Sequence, residues 1–463
     1  MSTKLLVKGG TAVTMDQKRR VIEDAGVAVV DGKIAAVGPL EDVSKGFGAD
    51  EVVDAKGSIV MPGLICSHTH LYGVALRGSA LNIKPPSDFL QILQRIWWPV
   101  DEALTNEDAY ATTLAAAFES LTNGTTCYAD TYSAPNAIEG SLDQIAKASN
   151  EVGLRGIISF EATERRSAEE GTRGLKENLR FIAKKDKGKA MAMVSLHASF
   201  TVSDDLISRG VETSAKYGIP LTIHVSEGPN DGYHNMERYG RRSVERLHAK
   251  GLLSRRSVLA HCVHLDEREI ELIAKSSASV AHNPMSNMLN AVGVASLLEM
   301  MDYGVNVGLG NDGYVFDMFE NMRAGYLLQR VARRNPNRPT PQEVLEMCTV
   351  NAARAYGLSS LGSLEVGKKA DIILVRPSFT ATPYSGSIYG YIVNGISGPQ
   401  VRDAIVDGQL VMKDRRVLTV DREKAEAKVL KTMERLWGRL GPSPREAVER
   451  LGKDSRRGKA KSG

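Results

Sequence analysis

Two histidines separated by one residue are the first candidates for chemistry in this sequence. His68 and His70 end the segment PGLICSHTH, which follows an apolar, β-branched run and the pair Pro62-Gly63. Side chains alternate faces along a β-strand, so residues i and i+2 point the same way. Two imidazoles on one face of a strand end suit a divalent metal ion, which histidine binds through a neutral ring nitrogen. Taken alone, the spacing fits two ordinary polar residues equally well.

Polar side chains also close seven later apolar runs of the chain. They are Asp130, Glu161, His197, His224 with Glu227, His261 with His264, His282, and Asp312. Histidine is scarce, with nine in 463 residues, yet seven of the nine, His68 and His70 included, lie at the ends of the eight runs. In a (β/α)8 barrel the catalytic groups come from the C-terminal ends of the parallel strands. The convergence therefore predicts one site at one rim of a barrel.

The residue types at those ends predict a hydrolytic metal centre. The expected ligands are His68, His70, His224 and Asp312. They would supply three nitrogens and one oxygen and leave a position for water. Zinc suits such a mixed set, and Fe(II) or Mn(II) also fits. A water bound there would have its pKa lowered towards about 7 and become a nucleophile at neutral pH.

Glu227, His261 and Asp312 are the predicted catalytic residues. Glu227 lies three residues after His224, so its carboxylate could take a proton from the activated water and deliver it to a ring nitrogen or leaving group. His261 would hydrogen-bond the attacking water or the developing oxyanion. Asp312 could be ligand and base together. The alternative for Glu227 is an acid that caps the start of a helix.

Three strand-end residues are candidate substrate contacts. His197 would face the pocket and hydrogen-bond a ring carbonyl. His282 is at the end of the seventh run and could contact the substrate. The alternative is a structural role beneath the site. Tyr314, just after the eighth run, would wall the pocket for a flat heterocycle, and core packing at a helix start is its alternative.

The sequence predicts that eight strand–helix units position these residues. Short apolar runs alternate with helical stretches over residues 62–362, which predicts an α/β fold with a (β/α)8 TIM barrel that carries the metal. Short β segments fill residues 1–61 and 363–420, with Asp31-Gly32 and Asp407-Gly408 as hairpin turns. We expect the two β-rich pieces to form one small composite β-sandwich.

Residues 421–463 are expected to form a basic helical and disordered tail. They carry thirteen Lys/Arg against seven Asp/Glu, in a chain with a net charge of +4. The first part predicts an amphipathic helix with Val429, Met433 and Trp437 on one face, and GKDSRRGKAKSG predicts disorder. A basic tail can contact nucleic acid. A solvated end is the simpler interpretation, so no nucleic-acid partner is expected.

Amino-acid composition indicates the class of protein and the cellular compartment to expect. The chain is 42% hydrophobic and 25% charged, as in an ordinary globular protein. Its four cysteines are far apart and form no C-x-x-C. That usage favours a reducing, cytoplasmic location over a disulfide framework or a zinc ribbon. No run approaches the roughly 18 apolar residues of a membrane span, so no membrane partner is expected.

Several of these motifs together resemble the amidohydrolase superfamily. PGLICSHTH, HASFTVSDDL, HVSE, LAHCVHLDEREI, AHNPMSNM and GLGNDG are similar to its cytosine deaminase-like branch, which includes triazine hydrolases and adenosine-type deaminases. The resemblance extends to about Arg416. It implies a (β/α)8 barrel with a composite β-sandwich, one divalent metal and hydrolysis of an amidine-type C–N bond. It also implies the ligands and catalytic residues named above.

Within that branch the chain is most similar to SsnA-type aminohydrolases, and next to methylthioadenosine/S-adenosylhomocysteine deaminases. FEATERR and NDGYVFDMFENM carry the first similarity. In the second group a ribose-binding glutamate follows W-P-x, and Asp101 stands there in this chain, which makes it a candidate substrate contact. Phe160 replaces an arginine of that group, and Tyr314 stands among residues that are small there. These departures argue against a nucleoside substrate.

The sequence therefore predicts a metal-dependent aminohydrolase. It would attack an aminated heterocycle, such as a purine, pyrimidine, pterin or triazine, with metal-activated hydroxide and release ammonia. The alternatives are a hydrolase that expels chloride or an alkylamine, an adenosine-type nucleoside deaminase, and a metal-free scaffold or binding protein on the same fold. Zinc is the expected cofactor, with Fe(II) as alternative. The expected partners are a small heterocycle and further copies of the chain in a homo-oligomer.

Overall fold

Eight parallel strands lie side by side at the centre of the computed structural model, which describes residues 3–79, 83–377 and 385–441. The strands, in the order of their pairing, are Leu64–Thr69, Thr125–Tyr132, Arg155–Ala162, Val194–Ala198, Leu221–Val225, Ser257–His261, Ser279–His282 and Asn306–Leu309. The backbone N–H groups of Asn311 and Asp312 donate to the carbonyl oxygen of His68 at 3.0 and 3.2 Å. These bonds close the sheet into a barrel.

The barrel strands form because their sequences can be buried on both faces. Every residue of Leu221–Val225 and of Ser257–His261 is buried. Strands covered by helices outside and by side chains inside read as nearly continuous apolar runs. The histidines stand at or next to the ends of these strands, so the site lies at their C-terminal rim.

Helices surround the barrel, and side-chain caps fix where several of them begin. Thr105 and Asp108 form a capping box at one helix, and Asp266 and Glu269 form one at another. Such caps stabilise a helix by about 1 kcal/mol. The α-helices are Leu40–Ser44, Phe89–Ile92, Trp98–Ala103, Asn106–Thr122, Ser141–Val152, Ala168–Ala183, Asp204–Tyr217, Pro229–Tyr239, Ser243–Ala249, Glu267–Ser276, Pro284–Leu289, Leu297–Asp302, Met318–Arg333, Pro341–Met347, Val350–Ala355, Ile388–Gly395 and Arg422–Leu440.

A second unit of two sheets is built from both ends of the chain. One sheet contains Lys33–Pro39, Ala25–Val30, Lys4–Lys8 and Glu51–Asp54. The other contains Arg416–Val417, Gln409–Lys413, Val401–Val406, Ile372–Val375, Ile59–Pro62, Thr11–Val13 and Val21–Ile22. Val27 from the first sheet and Ile372 from the second share one apolar core. Asp31 and Gly32 have φ values of 49° and 77°, as a tight hairpin turn between twisted strands requires.

The C-terminal helix Arg422–Leu440 packs against the barrel. Met433 and Leu436 are buried, and Trp437 Nε1 donates to the carbonyl oxygen of Ala75 at 2.8 Å. The predicted amphipathic face is confirmed: one side of the helix is buried, and most of its other residues are exposed. The stretch GKDSRRGKAKSG lies outside the described residues.

The predicted fold class is confirmed. A (β/α)8 barrel occupies the middle of the chain, and both ends contribute strands to a two-sheet unit. The domain boundaries 1–61, 62–362, 363–420 and 421–463 stay predictions. Across the described ranges, the helices fall short of the length and apolarity needed to cross a membrane.

Candidate functional site

Four side chains from the first, fifth and eighth strand ends converge on one point. Nε2 of His70 lies 3.2 Å from Nε2 of His224 and 3.2 Å from Oδ1 of Asp312. Nε2 of His68 lies 3.0 Å from the same carboxylate oxygen. All four side chains are buried. The structure thus brings together the four residues predicted as metal ligands.

The hydrogen bonds of the two facing imidazoles decide which nitrogens meet. Nδ1 of His70 lies 2.8 Å from the carbonyl oxygen of Thr131, and Nδ1 of His224 lies 2.6 Å from that of His197. A carbonyl oxygen only accepts, so both Nδ1 atoms carry a proton, and in the neutral rings both Nε2 atoms present a lone pair. Two such lone pairs 3.2 Å apart repel unless a proton or a metal cation lies between them. The contact therefore fits a bound ion.

His261, from the sixth strand, lies next to this cluster. Its Nε2 is 3.6 Å from Oδ1 of Asp312 and 3.5 Å from Oε2 of Glu227. Its Nδ1 is held at 2.9 Å by Oδ1 of Asn287. Neither Nε2 of His261 nor Nδ1 of His68 has a hydrogen-bond partner among the described residues, although both are buried. Such unpaired atoms beside ligating groups are expected where an ion and a substrate bind.

The donor set fits zinc or a similar divalent ion. The ligand atoms of His68, His224, His261 and Asp312 lie within 4.8 Å of one another. Imidazole nitrogens with one carboxylate oxygen are typical of catalytic zinc sites. Ser286 Oγ donates to Oδ2 of Asp312 at 2.5 Å. That bond leaves Oδ1 to face the histidines and orients the carboxylate.

Sharp backbone turns aim the catalytic candidates inward. Ser226, His261, Cys262 and Asp312 have φ values of 50°, 72°, 51° and 57°. Non-glycine residues rarely adopt this left-handed region, and such residues cluster at functional sites. The turn at Ser226 ends the fifth strand and places Glu227 beside His261.

Glu227 faces the pocket and is 8% exposed. Burial raises the pKa of Glu227 to about 7, although the charge on His261 acts in the opposite direction. Asn290 donates a hydrogen bond to its carboxylate. A carboxyl group that titrates near neutrality can accept a proton in one step and return it in the next.

A pocket with aromatic walls opens in front of the cluster. Its aromatic lining residues are Tyr72, Phe89, Trp97, Trp98 and Phe200, and its polar ones include Asp101, Glu161, His197, Glu227, Asp231 and Asn290. Flat aromatic walls with a few convergent polar groups suit a planar heterocycle.

Two of the four predicted substrate contacts reach this pocket. His197 and Asp101 line it. Tyr314 lies behind Trp97, whose Nε1 donates to the Tyr314 hydroxyl at 2.9 Å. His282 is fully buried inside the barrel. Neither Tyr314 nor His282 is among the described residues that line the pocket, so their structural alternatives fit this placement better.

Two residues at the pocket were missed by the sequence reasoning. Arg165 lies 2.9 Å from Asp101 and stacks over the ring of Trp98 at 5.2 Å. Phe160, which stands where the methylthioadenosine/S-adenosylhomocysteine deaminase group has an arginine, is buried in the core, and the arginine that approaches the pocket stands five residues later. A basic residue just beyond the third strand end was the available signal. Asn290 gave no signal of its own.

Known proteins share both the sequence and the fold. Residues 59–397 match the sequence model of the Amidohydrolase family. The chain is 35% identical over 443 residues to a 5'-deoxyadenosine deaminase of Methanosarcina mazei, covering 94% of this chain and 99% of that protein. It is 32% identical over 449 residues to a 5-methylthioadenosine/S-adenosylhomocysteine deaminase of Desulforamulus reducens, covering 94% and 100%.

A solved structure agrees with these relatives. An adenosine deaminase from Xanthomonas campestris with bound zinc superposes with a TM-score of 0.86 at 26% identity, over 94% of this chain and 98% of that one. The family predicted from the motifs is confirmed, and the named relatives are deaminases, the predicted reaction class. The chain belongs to the amidohydrolase family.

Proposed function

We propose that the protein is a metal-dependent deaminase that replaces the amino group of an aminated purine, free or as a nucleoside, by oxygen and releases ammonia. The observation that carries the proposal is the convergence of His68, His70, His224 and Asp312 beside Glu227. The deaminase relatives support the reaction, and their printed substrates are adenosine-type nucleosides. These names support a nucleoside substrate, which the sequence alone disfavoured, so the proposal includes it.

The ligands and the ion would have separate tasks. His68, His70, His224 and Asp312 would hold one divalent ion, for which we propose zinc. A bound divalent ion lowers the pKa of a coordinated water towards about 7. The carbonyl bonds at Nδ1 of His70 and His224 fix the tautomers, so both rings present an unprotonated Nε2 without rearranging.

Glu227 would move the proton. Its carboxylate takes a proton from the attacking water and delivers it to the ring nitrogen next to the carbon that bears the amino group. The C–O bond forms as the ring C=N bond opens. The regenerated carboxylate then passes the remaining hydroxyl proton to the amino nitrogen, and the C–N bond breaks as the C=O bond forms and ammonia leaves. A carboxyl group with a pKa of about 7 suits both halves of that transfer.

His261 would stabilise the oxygen that gains charge. Its Nδ1 faces Asn287 and its Nε2 is directed towards Glu227 and Asp312 at 3.5 and 3.6 Å. Removing one preoriented donor at a developing oxyanion commonly lowers kcat by a factor of about 10²–10³. Trp97 and Phe200 would hold the flat ring against this edge and keep bulk water out.

Location and assembly belong to the same proposal. All four cysteines are buried and free, which suits the reducing cytoplasm. We propose a homo-oligomer on the precedent of this fold class.

Ammonia release tests the function. Zinc-loaded protein would be assayed for ammonia release from adenosine, 5'-deoxyadenosine, adenine and guanine. A parallel assay with atrazine would measure chloride release. Turnover of at least one aminated purine, absent after metal removal and restored by zinc, is the expected result. Chloride release without ammonia release would replace the deaminase by a dehalogenating hydrolase. Protein that binds no metal and turns over none of these compounds would favour the scaffold alternative.

A further inference from the structure

Two charged side chains beside the cluster have hydrogen-bonding capacity that no described residue uses. Glu161 is 1% exposed and lines the pocket, and its Oε1 has no hydrogen-bond partner. Arg165 is not itself among the described residues that line the pocket, but it contacts two that do, Asp101 and Trp98; its side chain is 6% exposed, and its Nη1 is also unpaired. Buried polar atoms are nearly always satisfied in folded proteins, so an unpaired acceptor and an unpaired donor, on side chains whose charges act on each other, require an explanation.

Asp101 does not supply the missing partner, because its own oxygens are taken. It accepts from the Tyr72 hydroxyl at 2.9 Å and from Ser133 Oγ at 3.1 Å, and Arg165 Nη2 lies 2.9 Å from Oδ2. Ser133 Oγ also accepts from Arg165 Nη2 at 3.1 Å. Asp101 is therefore a positioning residue, which fixes the guanidinium and leaves Nη1 open.

The free oxygen of Glu161 lies close to the reacting centre. It is 3.6 Å from Nδ1 of His224 and 3.8 Å from Nδ1 of His70. Those nitrogens already donate to carbonyl oxygens, so Oε1 is not engaged by them. One imidazole ring separates it from the converging Nε2 atoms. A group that reaches it must therefore lie on the heterocycle or be directly attached to it.

We propose that Glu161 and Arg165 form a recognition subsite for a neutral group that presents a hydrogen-bond donor beside an acceptor. The carboxylate accepts from an N–H or O–H, and the guanidinium donates to a carbonyl or hydroxyl oxygen. Two substrate features share this chemistry: a lactam edge of the ring, and neighbouring hydroxyls of an attached sugar. The inference rests on the proposed deaminase function and narrows its substrate class.

Matched variants are available on the same segment. Glu161→Gln removes the charge of the acceptor, and its control is Glu164→Gln, whose carboxylate accepts from Ser203 Oγ at 3.0 Å. Arg165→Lys removes the planar donor, and its control is Arg166→Lys, which pairs with Glu170.

Binding is measured by titration calorimetry in zinc-loaded protein that also carries Glu227→Gln, so that probes are not consumed. The probes are guanine against 1-methylguanine, which loses the lactam N–H, and adenosine against 2',3'-dideoxyadenosine, which loses both hydroxyls. We expect the donor-bearing member of at least one pair to bind about tenfold or more tightly, the scale of one hydrogen bond to a charged group. Glu161→Gln and Arg165→Lys should each abolish that difference, and both controls should keep it.

The pair that shows the difference identifies the source of the recognised group. Equal binding within both pairs, binding of none of the four probes, or a difference that survives in either test variant would overturn the inference. A loss of zinc from the Glu161→Gln protein would also overturn it, because Glu161 would then support His70 and His224. A binding difference of the expected kind, without ammonia release by the unmodified enzyme, would remove the proposed function alone.

Discussion

Three of the imidazoles around the metal position, those of His70, His224 and His261, are each held by a second hydrogen bond, and that bond decides which nitrogen faces inward. Thr131 and His197 supply carbonyl oxygens to His70 and His224, and Asn287 supplies an amide oxygen to His261. Such partners raise ligand basicity and fix ring orientation before an ion binds. Their donors and acceptors are partly main-chain atoms, so no sequence motif displays them.

A Glu227→Gln substitution tests the proton-transfer role at the same scale. Glutamine keeps the shape and the hydrogen bond from Asn290 but cannot accept the proton, so turnover should fall by about two orders of magnitude or more while bound metal is unchanged. Ammonia release and metal analysis on the same preparation measure both. Glu237→Gln, on the exposed side of a neighbouring helix, should leave both unchanged. Near-normal turnover in the Glu227 variant would remove the assigned role.

At the scale of residues, the sequence predicted the cluster of candidate metal ligands but not the side chains around the pocket. His68, His70, His224 and Asp312 were recognisable because strand periodicity and fold topology fix where strand ends meet. Arg165 was missed because Asp101, which holds its guanidinium, lies on a helix far away in the sequence. A side-chain pair made by tertiary contact leaves no local pattern to read.

At the scale of elements, the barrel strands were predictable and the docking of the last helix was not. Continuous apolar runs marked all eight strands because both faces of each are buried. The helix Arg422–Leu440 showed its apolar face in the sequence, but its contact surface comes from residues more than 300 positions earlier. It lies over the turn Leu71–Leu76, which directly follows His70.

A Trp437→Ala substitution measures what this docking contributes. The indole donates to the Ala75 carbonyl and packs near Gly78, so its loss should lower the free energy of unfolding by about 1–3 kcal/mol. Denaturant titration followed by circular dichroism gives that value. Leu430→Ala, at a residue 62% exposed on the same helix, should change it by no more than about 0.5 kcal/mol. Equal effects from the two substitutions would mean that the helix is not held where it lies.

At the scale of the whole molecule, a buried charge pair joins the barrel to the two-sheet unit. Arg155 begins the third barrel strand, and its Nε and Nη2 lie 3.2 Å from the carboxylate oxygens of Asp371, just before the strand Ile372–Val375. Nη2 also contacts Asp407 at 3.2 Å. Residues more than 200 positions apart meet here, which composition and periodicity could not predict.

Removing one partner of that pair should lower the free energy of unfolding more than removing both partners. Arg155→Met leaves the carboxylate of Asp371 buried without its counterion. We expect the free energy of unfolding to fall by about 3–5 kcal/mol. Arg155→Met combined with Asp371→Asn should recover a clear part of the loss, because asparagine is neutral and can still accept from the Asp407 N–H. Unfolding midpoints in urea compare the variants. A double variant less stable than the single one would show that the pair does not act through charge burial.

The location of the metal tests most directly whether the four strand-end residues form one metal centre. Crystals of the zinc-loaded protein, measured on both sides of the zinc absorption edge, would give an anomalous difference map. One strong peak is expected, bounded by His68, His70, His224 and Asp312, at the coordination distances of about 2.0–2.2 Å that zinc takes to nitrogen and oxygen. Loaded crystals without a peak at that point, or with their zinc bound elsewhere on the chain, would contradict this expectation.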